Sequence, residues 1–238
     1  VCNVPDYCID EVADHTLAFL LACTRQVVAN TRYVQGGAWG LAVPLDQMRT
    51  LRDLCIGVVG FGRIGRAVAA RLAPFGCRRL VYDPVVAETD VRQAGCEPTS
   101  RERLWTEADV VTLHCPSTPQ TRRLLNAETL GRLKPGAIVV NLSRGDLIET
   151  PALIDALRSG HLAAAALDVC DVEPIPAESP LRSLENVVLS SHIASASVKA
   201  VRTLRETAAH LALKALRGES LPNIVNGVTA SHGSIFIR

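Results

Sequence analysis

The sequence predicts an α/β protein, a doubly wound parallel sheet with helices on both faces. Two observations carry the prediction. The stretch Cys55-Ile-Gly-Val-Val-Gly-Phe-Gly-Arg-Ile-Gly65 is an apolar run that breaks at three glycines spaced G-x-G-x-x-G. It opens into Arg66-Ala-Val-Ala-Ala-Arg-Leu72, which reads as strand, tight turn and helix. Beyond it, short apolar runs alternate with helix-length segments to about residue 190, the pattern of repeated β-α units rather than of hairpins. With 238 residues, 48% of them apolar, the chain has material for a sizeable core, and its segments are too unlike one another for a repeat array.

Each element has a local reason. Val1-Cys-Asn-Val-Pro5 looks like the end of a strand, so the chain is expected to begin inside a fold. Asp10 is placed to cap a helix with Glu11 and Asp14 near its start and Arg25 at its end, charges that suit the helix dipole. Its body, Leu17-Ala-Phe-Leu-Leu21, is apolar almost all round, as in a helix held between two layers. Over 33–50, Gly36, Gly37, Gly40 and Pro44 interrupt any period, which predicts an irregular arm. Trp39 there serves either local packing or an oligomer contact. Leu80-Val-Tyr82 is a strand ending in Asp83-Pro84. It is followed by a helix that stops near Gly95, a short helix over 100–107 and a strand over 109–114. Asn126 caps a helix through Leu133, Lys134-Pro-Gly136 turns, and 137–142 is a buried strand. Thr150-Pro151 is read as N-cap and first position of a helix stopping at Gly160. Strands follow over 163–169 and 186–190, and then a helix from about 198 to 217 that ends at Gly218 before an aperiodic tail.

Composition excludes several classes. A net charge of +1 and short pairs such as Arg78-Arg79 leave no electrostatic footprint for nucleic acid or an anionic membrane. No run approaches the ~18 apolar residues of a membrane span, and no signal-peptide pattern opens the chain. The eight cysteines show no C-x-x-C spacing, so no metal site is expected, and reduced thiols point to a cytoplasmic protein.

Chemistry enters at the glycines. Gly60 lets the chain turn, Gly62 lets backbone approach a pyrophosphate, and Gly65 lets helix and strand pack closely. The helix N-terminus then offers unpaired N–H groups to phosphate. Asp83, about twenty residues on, is placed to bind adenosine ribose hydroxyls and to repel a 2′-phosphate, which favours NAD over NADP. Ligands in such sheets lie beyond the carboxyl ends of the strands. That rule selects the glycine loop, Asp83-Pro84, Cys115 to Thr121, Ser143 to Gly145, Asp168 to Glu173 and His192 to Ser195. Three of these loops carry Arg144, Glu173 and His192. Singly, each reads as a surface or structural residue; together they form a cationic clamp, a carboxylate and an acid/base.

Asn141-Leu-Ser-Arg-Gly145, Leu167-Asp-Val-Cys-Asp-Val-Glu-Pro174 and Ser191-His-Ile-Ala194 resemble the signature segments of the D-isomer-specific 2-hydroxyacid dehydrogenases, and the resemblance runs from Val1 to about Asn226. It implies a Rossmann-type NAD-binding domain over 24–195. Residues 1–23 and 196–238 would be remnants of a smaller flavodoxin-like substrate domain whose N-terminal part lies upstream of Val1. By the same resemblance the catalytic residues are Arg144, Glu173 and His192, and the pyrophosphate contacts are Arg63 and Ile64. Asp83 holds the ribose, and further cofactor contacts fall on Pro116, Thr121, Leu142, Ser143, Arg144, Asp168, His192, Ala194 and Ser195. Ile193-Ala-Ser-Ala196 departs from the glycine-containing turn that many members have after the histidine. The implied activity is reduction of a 2-ketoacid to a D-2-hydroxyacid by a homodimer. The alternative is an NADH-sensing binding protein similar to the C-terminal-binding-protein corepressors.

Overall fold

The computed structural model describes residues 1–226, so the end of the aperiodic tail lies outside the described residues. In chain order the elements are α1 (Ile9–Thr24), α2 (Val27–Gln35), β1 (Cys55–Val59), α3 (Arg63–Leu72), β2 (Arg78–Tyr82), α4 (Glu88–Gln93) and β3 (Glu97–Pro98). Then come α5 (Arg101–Glu107), β4 (Val110–Leu113), α6 (Ala127–Gly131), β5 (Ala137–Asn141), α7 (Thr150–Arg158), β6 (Leu162–Leu167), β7 (Val187–Leu189) and α8 (Val198–Leu216). The seven strands form one parallel sheet in the order β3-β2-β1-β4-β5-β6-β7. Its strand order reverses between β1 and β4, where a dinucleotide crevice forms in such sheets.

Local chemistry explains most boundaries. Ser100 caps α5 by accepting from Arg103 N–H, and Asn126 caps α6 in a reciprocal capping box with Thr129. Gly95 and Gly160, at φ +71° and +76°, close the segments of α4 and α7. Two expectations shift by a residue: α1 starts before Asp10, and Thr150 and Pro151 lie inside α7 after Glu149. Two short elements were not expected. Helix α2 lies mostly ahead of the predicted arm, takes in its residues 33–35 and buries none of its own residues, and β3 adds two residues at the sheet edge. Neither shows a run of burying residues long enough to read as an element.

The described residues divide into two compact units, residues 12–194 and residues 1–11 with 195–226. Val12, Ala13, Leu17, Phe19, Leu20 and Cys23 of α1 are buried, and the helix from Val12 on belongs with the sheet. In the larger unit the central strands β1, β4 and β5 are buried along their whole length, as parallel strands covered on both faces must be. In the smaller unit Ser197 caps α8 through Ala200 N–H and also donates to Glu11 Oε1 at 2.6 Å. All eight cysteines are free, and no helix among the described residues is long and apolar enough to cross a membrane.

Register places the site. Tyr82, Val59, Leu113, Asn141, Leu167 and Leu189 pair in one row across the sheet. The residues that follow them, Asp83, Gly60, His114, Leu142, Asp168 and Ser190, therefore leave the sheet along one edge.

Candidate active site

The glycine loop is built by close backbone contact. At Gly60, φ is +92° and a Cβ would lie 2.7 Å from the His114 carbonyl carbon and from the Cys115 nitrogen. A Cβ at Gly65 would lie 2.1 Å from the Gly60 oxygen, so the first turn of α3 rests directly on the loop. Gly62 differs: a Cβ there would meet no protein atom within 4 Å. Nothing in the protein demands glycine at that position, whereas the close approach of a pyrophosphate would. Gly62 also N-caps α3 without a side-chain hydrogen bond.

Asp83 follows the last residue of β2 at the same sheet edge. Its Oδ2 accepts from Phe61 N–H at 2.6 Å, and its Oδ1 from the Val85 and Val86 amides at 2.8 and 3.1 Å. Desolvation pulls its pKa up, but these three donors and Arg66 outweigh it and hold the carboxyl below its ordinary range. A carboxylate has about four lone-pair sites, so three backbone donors leave about one free to accept a further hydrogen bond. The loop after β4 shapes itself: Thr121 Oγ1 donates to the Pro116 carbonyl at 2.6 Å and accepts from Thr118 N–H at 2.8 Å. Its neighbour His114, whose Nε2 lies 2.9 Å from Thr112 Oγ1, has its pKa pushed down to about 4 by burial.

The loops after β5, β6 and β7 converge on one another. Asn141, 1% exposed, donates from Nδ2 to the Arg144 carbonyl at 2.9 Å and accepts from Ser143 N–H at 3.0 Å, which folds the chain that presents Arg144. Ser143 Oγ donates to the Cys115 carbonyl at 2.5 Å, and Ser117 Oγ to Asp146 at 2.6 Å, so the β4 and β5 loops are tied together. A Cβ at Gly145 would sit 1.9 Å from the Cys170 carbonyl carbon, so the β5 loop rests on the backbone of the β6 loop. That contact puts Arg144 beside the segment leading to Glu173. Arg144 is exposed, and one of its terminal nitrogens donates to its neighbour's carbonyl, Ser143 O, at 2.6 Å.

Glu173 and His192, nineteen residues apart, meet: His192 Nδ1 lies 2.8 Å from Glu173 Oε2, while Glu173 Oε1 accepts from Cys170 N–H at 2.9 Å. Burial raises the Glu173 pKa, but the Cys170 amide and His192 outweigh it and hold the carboxyl below its ordinary value, so it is ionised at neutral pH. A cavity of about 640 Å³ opens beside the pair, lined by Asp168, Cys170, Ile175 and Leu189 among others. The Cys170 thiol on its wall is pushed up to about 11 by burial and by Glu173, Asp171 and Asp168, which leaves it protonated and a poor nucleophile.

Asp168 and Ala194 belong to one hydrogen-bonded turn. The Asp168 carboxylate, 2% exposed, accepts from Ser190 Oγ and from the Ile193 and Ala194 amides, both at 2.9 Å. Leu142 and Cys115 are buried beneath the loops, and Ser195 falls in the smaller unit. Sequence reasoning passed over Asn141, Gly145 and Ser190 as supports. Gly145 follows Arg144 directly, and the spacing of two strand ends from Asp168 to Ser190 carries no signal until the register is known.

These observations define an α/β dinucleotide-binding unit with an arginine and a carboxylate–imidazole pair at its strand ends. Residues 17–194 match the family model described as D-isomer specific 2-hydroxyacid dehydrogenase, NAD binding domain. A glyoxylate reductase of Korarchaeum cryptofilum is 42% identical over 228 residues, 95% of this chain and 69% of the relative. A D-3-phosphoglycerate dehydrogenase of Mycobacterium leprae is 39% identical over 226 residues, 95% of this chain but only 42% of the relative. Among solved structures, D-lactate dehydrogenase from Aquifex aeolicus complexed with NAD and lactic acid superimposes with a TM-score of 0.84 at 30% identity, covering 92% of this chain and 70% of that one. The chain belongs to the D-isomer-specific 2-hydroxyacid dehydrogenases, an NAD-dependent oxidoreductase family, and its cofactor is NAD.

Proposed function

We propose that this protein interconverts a 2-ketoacid and a D-2-hydroxyacid, with Arg144, Glu173 and His192 as its catalytic residues. The observation that carries the reading is the 2.8 Å contact between Glu173 Oε2 and His192 Nδ1. It engages one imidazole nitrogen and leaves Nε2 without a hydrogen bond among the described residues. NAD, when bound in its reduced form, supplies the hydride for the ketone carbon. His192 gives a proton from Nε2 to the carbonyl oxygen as negative charge develops there, and Glu173 holds the ring's orientation through Nδ1. Arg144 makes no ion pair with a carboxylate among the described residues. Its planar fork suits bidentate binding of the substrate carboxylate, which also sets cationic charge beside the developing alkoxide. Arg63 and Ile64 amides hold the pyrophosphate, Asp83 the ribose, and the Pro84, Pro116, Thr121, Leu142, Ser143, Ala194 and Ser195 positions complete the cofactor's contacts.

The substrates proposed are small 2-ketoacids of the glyoxylate, hydroxypyruvate and phosphohydroxypyruvate kind, in keeping with the two named relatives. The test is NADH oxidation with a panel of these acids. His192→Ala is expected to lose turnover by roughly a thousandfold, and Glu173→Gln by roughly tenfold or more, while NADH affinity stays within about threefold. An unmodified protein that binds NADH and reduces none of the panel would sink the reading.

We also propose a cytoplasmic homodimer in which the partner covers α2 and the arm after it. α2 buries nothing, and Trp39 is 90% exposed, with Val34, Leu41 and Leu45 exposed nearby. The apolar face of α1 is already buried and needs no partner. Sedimentation at micromolar concentration should give a dimer, and Trp39→Glu should give a monomer.

A further inference from the structure

The turn carrying His192 contains no glycine, yet His192 sits at φ +58°. That conformation costs a side-chain-bearing residue about 1 kcal/mol or more and persists only where its surroundings hold it. Asp168 does the holding. Leu167 and Leu189 are register partners, so Asp168 and Ser190 leave the sheet side by side. The Asp168 main-chain oxygen accepts from His192 N–H at 2.7 Å, and its carboxylate takes Ser190 Oγ, Ile193 N–H and Ala194 N–H. A serine hydroxyl has a single proton, and this one goes to Asp168. The contact between Ser190 Oγ and His15 Nε2 at 3.3 Å therefore requires the imidazole nitrogen to donate. His15 is thus the Nε2–H tautomer or the imidazolium, a donor in either form. Its ring is set in place by an edge-on contact with Phe19, centroids 4.5 Å apart at 69°.

We propose that His15 and Ser190 are positioning residues for His192: His15 on α1 fixes the Ser190 hydroxyl, Ser190 fixes the Asp168 carboxylate, and Asp168 holds the left-handed turn that aims the imidazole. The hydrogen-bonded arrangement stands on its own geometry, and its consequence for turnover rests on the reaction proposed above. Neither residue needs to touch substrate or cofactor.

The test compares His15→Phe, His15→Gln and Ser190→Ala with the unmodified 238-residue protein. Three quantities are read: amide hydrogen exchange at Ile193 and Ala194, NADH affinity by fluorescence, and kcat with the best 2-ketoacid. Glutamine places its amide N–H near the position of Nε2; phenylalanine keeps bulk and removes the donor. His15→Phe and Ser190→Ala should speed exchange at both amides by about tenfold and lower kcat by roughly tenfold to a hundredfold, with NADH affinity within about threefold. His15→Gln should recover exchange protection and kcat to within about threefold of the unmodified protein. Unchanged exchange at Ile193 and Ala194 in His15→Phe would overturn the proposal, and so would a His15→Gln protein no better than His15→Phe. If Ser190→Ala fails to fold, the two His15 variants decide alone. If exchange responds as expected but the unmodified protein reduces no ketoacid, the brace stands and the proposed reaction falls.

Discussion

The glycine loop after β1 and the polar loops after β5, β6 and β7 sit on the same edge of one sheet, yet they are shaped by opposite means. The loop at Gly60 to Gly65 is shaped by missing side chains: two of its glycines lie where any Cβ would strike backbone, 2.7 Å away at Gly60 and 2.1 Å at Gly65. Around His192 the geometry is held by side chains, with Asn141, Asp168 and Ser190 gripping backbone amides, carbonyls or each other. A backbone-made site is rigid and has one solution. A site made by side-chain hydrogen bonds can aim an exposed group such as His192, 51% accessible, but each aiming bond is a separate dependency.

The contrast is most directly broken at Gly65. Gly65→Ala sets a methyl against the Gly60 backbone oxygen, and should cost more than about 2 kcal/mol of stability and at least about a hundredfold in NADH affinity. Calorimetric melting and an NADH titration check both. Gly145→Ala tests the other region. By pushing the Arg144 loop off the Cys170 backbone it should lower kcat by about a hundredfold while NADH affinity falls far less. Equal losses in both would mean that the two regions are not separable.

His114 lies against the glycine loop, its carbonyl carbon 2.7 Å from where a Cβ at Gly60 would stand, and it gives a pH signature. Its folded pKa of about 4 lies below the ordinary value of about 6.5, so the unfolded chain binds the extra proton between those limits. Its contribution to stability is therefore complete above about pH 6.5 and is lost as pH falls toward 4, by up to about 3 kcal/mol. Urea unfolding at pH 7, 5 and 4 should show this slope, and His114→Gln should flatten it. Asn141→Leu, which strands the Ser143 amide and the Arg144 carbonyl, should cost about 1–3 kcal/mol in the same assay. The smallest effect is expected at Asp83. Asp83→Asn keeps an oxygen for the Val85 and Val86 amides, removes the charge, and should narrow the preference for NADH over NADPH by about tenfold, read from paired titrations.

What was legible in the sequence follows from what local chemistry can encode. The alternation of apolar runs and helix segments, the capping residues Ser100 and Asn126, and the G-x-G-x-x-G spacing each act within a few residues of themselves. The parallel sheet, its order of elements and the glycine loop could therefore be read directly. Arg144, Glu173 and His192 could be named because strand ends gather on one edge of a parallel sheet. Tertiary structure alone decided the rest. The burial of α1 from Val12 on within the larger unit is one such case, since an apolar helix does not state which surface it will cover. Three backbone amides claimed most of Asp83, and the register of β6 with β7 set Ser190 beside Asp168 with His15 behind it. His15 and Ser190 are 175 residues apart, and no local preference of either residue names the other. Only the strand pairing that stacks their loops brings a hydroxyl, a carboxylate and an imidazole within reach, because hydrogen bonds act over about 3 Å and the chain's own pattern fixes no distance between remote segments.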